Sequence, residues 1–132
     1  MKKRHALTCR LAVLALVAVP VGVGCGGGSG SSTVTCKPSG THLSITAQHN
    51  QFDKDCLASR AGQAVTISLD NKDGGVPHNI QIFTPGGASA FKGSTDTGVK
   101  TVTYHVPGLT PGRYTFHCDF HPDTMHGTFI VR

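Results

Sequence analysis

The chain has 132 residues, room for one domain and a targeting segment but not for two independent cores. Its formal charge of +5 comes from 12 basic and 7 acidic residues, and four of the basic ones, Lys2, Lys3, Arg4 and Arg10, crowd the front end. Past that segment the balance is near neutral and lysine and arginine are scattered singly along the chain with no basic run, so nothing in it suggests a nucleic-acid surface.

The front end reads as a secretory signal peptide over residues 1–24: a basic start, an uninterrupted apolar run from Leu11 to Val19, then Pro20 and small residues to Gly24. A retained membrane anchor is the competing reading, but the apolar stretch is well short of the roughly 20 residues a spanning helix needs. Gly24-Cys25 resembles the cleavage point of a bacterial lipoprotein. Residues 25–41 would then be a lipid-anchor cysteine and a flexible Gly/Ser-rich linker, tethering the protein to the outer or periplasmic side of the cytoplasmic membrane. Simple secretion stays open, because Gly22 stands where such signals usually carry an aliphatic residue.

Of the five cysteines, Cys9 leaves with the signal and Cys25 is the lipid candidate. Cys36 and Cys56 are expected to form a disulfide in an oxidising compartment, worth about 3 kcal/mol on the chain-entropy model. A second metal site using His42 or His49 is the alternative, against which stands the lack of a close Cys-x2-Cys spacing.

From residue 42 to 132 helical periodicity is nearly absent, and short alternating runs lie between Gly, Pro, Asn and Asp clusters. The predicted strands are Leu43 to Ala47, Ala64 to Leu69, His78 to Phe83, Val99 to Val106, Arg113 to Cys118 and Gly127 to Val131. Together they predict an all-β sandwich. Pro85 to Gly98 reads as a long surface loop with at most a short helical turn. Because side chains alternate faces along a strand, His78 should point inward with Ile80 and Ile82, leaving Asn79 and Gln81 outward. By the same argument Cys118 should share the core face with Tyr114 and Phe116.

The segment Tyr114-Thr-Phe-His-Cys118-Asp-Phe-His121-Pro-Asp-Thr-Met125 gathers a thiolate, an imidazole and a thioether, and Pro77-His78-Asn79 supplies a second imidazole. Two imidazoles and a thiolate in a trigonal plane, with a weak axial thioether, suit both Cu(I) and Cu(II) and form the inventory of a type 1 copper site. A buried cysteine and a methionine beside it are each commonly mere packing; two histidines at these intervals argue against coincidence. His42, His49, His105 and His117 are expected to be exposed and not to bind metal.

These residues resemble the cupredoxin family of small blue copper proteins, on Pro-His78-Asn79 and on Cys118-x2-His121-x3-Met125. The resemblance covers about Leu43 to Val131. It implies a Greek-key β-sandwich holding one copper ion near one end, bound by His78, Cys118 and His121 with Met125 axial. It further implies one-electron transfer without substrate chemistry, and it makes Asn79 the residue that holds the two ligand-bearing loops together. His126 is a rival axial ligand, and Asp119 brings a carboxylate close to the metal. By the same analogy Phe120 would belong to an apolar docking patch beside His121. Partners would be redox proteins such as a cytochrome, an oxidase or a reductase at the membrane surface, with the chain itself a monomer.

Enzymatic readings are not supported. No His-x-His pair is present for a trinuclear copper centre, the ligand loop has one cysteine and not the two of a binuclear site, and no Gly-x-Ser-x-Gly elbow occurs. The alternative function is extracytoplasmic copper trafficking or storage, which usually relies on a methionine-rich open site; this chain has two methionines including the initiator.

Overall fold

A computed structural model describes residues 34–132. The expected signal peptide and the lipidation at Cys25 lie outside the described residues.

Nine strands form two sheets, with no helix among the described residues. In the first sheet, β1 (His42–Gln48) turns into β2 (Gln51–Phe52), and β4 (Val65–Asn71) and β7 (Lys100–Val106) follow, in the spatial order β2-β1-β4-β7. In the second, β3 (Cys56–Ser59), β9 (His126–Val131), β8 (Gly112–His117), β5 (Gln81–Phe83) and β6 (Ser89–Lys92) lie in that order. Two pairs are parallel, β1 with β4 and β3 with β9, and the rest are antiparallel. The parallel pairs arise because the chain crosses to the other sheet between their members.

Alternation builds the core. Val65, Ile67 and Leu69 of β4 are buried while Thr66 and Ser68 between them are partly exposed, and Leu43, Ile45 and Ala47 of β1 repeat the pattern. The opposing sheet contributes Ile82, Tyr114, Phe116, Phe129 and Val131. Each fully buried Ile, Leu or Phe of this set stabilises the fold by about 1.5–3 kcal/mol. Phe116 also meets the ring of Phe52 at 5.8 Å, and Gly127 is required behind it, since any Cβ there would collide with the Phe116 ring and the Asp55 carbonyl.

The predicted sandwich is present, with corrections in detail. Pro85 to Gly98 is not all loop, for Ser89–Lys92 pairs with β5 as β6. The strands β2 and β3 were not predicted. The strand expected from His78 to Phe83 is regular only from Gln81, since His78 leaves the sheet to form an isolated bridge with Asp96. Asn79, expected on the outward face, is fully buried, because its side chain is bonded inside the fold. His42, His49 and His105 are exposed as expected, while His117 is partly covered, its ring 4.6 Å from that of Phe83. Cys36 and Cys56 are joined as a disulfide.

Candidate metal centre

His78, Cys118 and His121 converge at one end of the sandwich. Their ligand atoms all lie within 4.8 Å of one another. The Cys118 Sγ is 3.8 Å from the Nδ1 of His78 and 3.8 Å from the Nδ1 of His121. A metal ion with zinc-like bonds of about 2.0 Å to nitrogen and 2.3 Å to sulfur in a trigonal plane would place N and S about 3.7 Å apart. The donor spacing therefore fits a single first-row metal ion, and the donor set, one soft thiolate with two imidazoles, fits copper.

His78 is held on three sides. Its backbone N–H donates to the Asp96 carbonyl at 2.8 Å, and its carbonyl accepts from the Asp96 N–H at 2.9 Å. Its Nε2 faces Asp73 Oδ2 at 3.0 Å. With Nε2–H donated to the carboxylate, the Nδ1 lone pair is left pointing at the thiol, so the hydrogen bond selects which nitrogen can ligate. Burial pushes the Asp73 carboxyl up. The N–H groups of Asn50 and His49, together with the His78 ring, outweigh it and bring the pKa from 3.8 to about 2.

Cys118 follows the last residue of β8 and faces inward, completing the buried series Tyr114, Phe116, Cys118. The loop after it closes on itself: the Cys118 N–H donates to the Met125 carbonyl at 2.9 Å, the His121 N–H to the Cys118 carbonyl at 3.2 Å, and the Met125 N–H to the His121 carbonyl at 2.9 Å. This turn carries His121 back over the sulfur, with the His78 and His121 rings 5.0 Å apart. Met125 is fully buried, whereas its neighbour His126 is exposed with its Nδ1 3.1 Å from the Pro122 carbonyl. His121 is partly exposed and lies next to Phe120, which is 48% exposed.

Asn79 ties the two ligand-bearing segments together. Its Oδ1 accepts the Asp119 N–H at 2.9 Å and its Nδ2 donates to Asp119 Oδ2 at 2.9 Å, so one amide bridges the residues that follow His78 and Cys118. Asp119 is also bound by the Lys92 ammonium at 2.7 Å. Burial raises its carboxyl pKa, but Lys92 and Asn79 lower it more, and the net shift is downward.

Sequence reasoning named all four candidate ligand residues, Asn79 and the nearby Asp119. It missed Asp73 and Asp96. Asp73 lies in an Asp/Gly-rich turn where a carboxylate reads as turn chemistry, and the only hint was its position five residues before His78.

No curated protein matches this sequence. Solved structures of similar fold include auracyanin from the photosynthetic bacterium Roseiflexus castenholzii, at 19% identity and TM-score 0.63, covering 70% of this chain and 98% of that one. Auracyanin A, a "blue" copper protein from Chloroflexus aurantiacus, is 21% identical with TM-score 0.62, covering 69% of this chain and 98% of its own. A Cu(I) amicyanin variant is 22% identical with TM-score 0.52, covering 69% and 82%. At these identities the likeness concerns the fold. The family model for the cupredoxin-like domain matches residues 29–131, and the chain belongs to that family.

Proposed function

We propose that this protein is a one-electron carrier with a single type 1 copper ion held by His78, Cys118 and His121, with Met125 as the axial ligand. The observation that carries the reading is the buried Cys118 sulfur equidistant, at 3.8 Å, from two inward-facing imidazole nitrogens. Copper bound there supplies a reversible Cu(I)/Cu(II) couple. The protein's part is to keep the donors in one arrangement for both oxidation states. Asp73 and the Asp96 bridge fix His78, the closed 118–125 loop fixes Cys118 and His121, and Asn79 locks the two segments to each other. Core packing around Cys118 and Met125 keeps water from the thiolate, and the partly exposed His121 is the route by which an electron reaches the surface.

The carrier has no substrate chemistry of its own. It is exported and tethered through a lipid on Cys25 to the outer or periplasmic side of the cytoplasmic membrane. There it exchanges electrons as a monomer with membrane-associated redox proteins, a cytochrome, an oxidase or a reductase, using the surface around His121 and Phe120.

Coulometric titration of the copper-loaded protein tests the function. The expected result is one electron per chain, taken up and returned over repeated cycles with the metal retained. Release of copper to an apo acceptor on reduction would replace the carrier reading with trafficking.

A further inference from the structure

The lysines and arginines of the described residues divide into paired and unpaired sets. Lys54, Lys72, Lys92 and Lys100 each meet an aspartate, at 2.9, 2.7, 2.7 and 2.9 Å. The other four cations among the described residues, Lys37, Arg60, Arg113 and Arg132, are exposed and meet no carboxylate within ion-pair distance. Lys37, Arg60 and Arg132, with Pro38, line one open cleft of about 610 Å³.

The strand register places this cluster at the end away from the metal ligands. β9 starts next to Met125 and ends next to Arg132, and its last residue, Val131, pairs with Ser59 on one side and Gly112 on the other. That brings Arg60, Arg113 and Arg132 to one end, about 20 Å of strand from Cys118 and Met125. The same end receives the incoming chain: Arg113 donates to the Val34 carbonyl at 2.7 Å and Arg132 to the Cys36 carbonyl at 2.6 Å. Both bonds go to neutral carbonyls, and neither guanidinium has an aspartate within ion-pair distance.

We propose that the Lys37, Arg60, Arg113 and Arg132 end is a docking surface for an anionic phospholipid bilayer, which turns the copper-ligand end outward toward redox partners. The proposal rests on the anchored-carrier reading. Val34 is nine residues after Cys25, so whatever the conformation between them, an anchored Cys25 keeps Val34 within about 30 Å of the membrane. The attraction of a basic residue to anionic headgroups acts over roughly a Debye length, about 8–10 Å, so it needs such an anchor to bring the surface into range. Once there, each residue strengthens association about fivefold.

The test is cosedimentation of the lipidated mature protein, beginning at Cys25, with phosphatidylcholine vesicles, with and without phosphatidylglycerol. Wild type should bind the anionic vesicles more tightly. Lys37→Gln/Arg60→Gln should lose about 25-fold on anionic vesicles and nothing on neutral ones. Circular dichroism verifies folding, and if the double variant fails to fold, Lys37→Gln alone should lose about fivefold. Equal binding of wild type to both vesicle types, or a variant with undiminished preference, would overturn the proposal. So would displacement by inorganic phosphate beyond that by chloride at equal ionic strength, which would mark a free-anion site. The visible copper band of the same samples reports on the metal reading separately, and Cys25→Ser, lowering binding to both vesicle types and with it the preference for the anionic one, reports on the anchor.

Discussion

Asp73 Oδ2 sits 3.0 Å from the Nε2 of the fully buried His78, and the same carboxylate accepts the N–H groups of His49 and Asn50 at 2.8 and 3.1 Å. One side chain thus joins the β1–β2 turn to a metal ligand. The turn needs that help, because His49 and Asn50 both adopt positive φ, 55° and 56°, the geometry of a type I′ hairpin built without glycine. Asp73→Asn should lower copper affinity about 10–100-fold, as loss of a ligand's outer hydrogen-bond partner typically does. Competition against a chelator of known affinity measures it, and unchanged affinity would show that the Asp96 bridge alone positions His78.

Met125→Leu should keep the intense visible band and raise the reduction potential. The thiolate and imidazoles generate the colour, while an axial thioether favours Cu(II) over Cu(I) through its weak donation. Voltammetry of the variant measures the shift. Met125 is buried and His126 faces away toward Pro122, so His126→Ala should leave both spectrum and potential in place.

Cys36→Ser/Cys56→Ser should cost about 3 kcal/mol of stability on the chain-entropy model, read as a lower denaturation midpoint in urea. Neither cysteine touches the donor cluster, so the folded variant should still bind one copper ion.

Acid stability should depend on Asp53. Burial raises its carboxyl pKa, but the Thr46 N–H, donating at 2.7 Å, and the Lys54 ammonium lower it more, leaving the folded value below 3.8. A depressed folded pKa means stability that is fully present above the unfolded value and lost as pH falls through the folded one. Asp53→Asn should therefore destabilise the protein at neutral pH, with the difference from wild type shrinking below pH 3.8. Chemical denaturation at several pH values measures the convergence, and a constant gap would contradict it.

The candidate donors that the structure brings together, His78, Cys118 and His121, were legible because soft donors are scarce in this chain and their order and spacing are constrained by the chemistry they would serve. Strand alternation correctly put Cys118 in line with Tyr114 and Phe116. Shorter elements escaped the same logic. Leu57, Ala58 and Ser59 of β3 are all buried, so they show no period of two, and β6 hides in a Gly/Ser/Thr-rich stretch where Ser89-Ala90-Phe91-Lys92 is the only strand. The β1–β2 turn lacks the Asn-Gly signature that marks such hairpins, and what replaces it, the Asp73 carboxylate, lies 24 residues from His49. Asn79 was expected on the outward face and is buried, because strand alternation does not hold where the chain leaves the sheet at His78.

The most direct test of the metal centre is to add one equivalent of Cu(II) to the purified protein and record its visible absorption and electron paramagnetic resonance. The account predicts an intense thiolate-to-copper charge-transfer band and narrow copper hyperfine splitting, both bleached by reduction, restored by reoxidation and absent in Cys118→Ser. A pale solution with the wide splitting of ordinary tetragonal Cu(II) would contradict it.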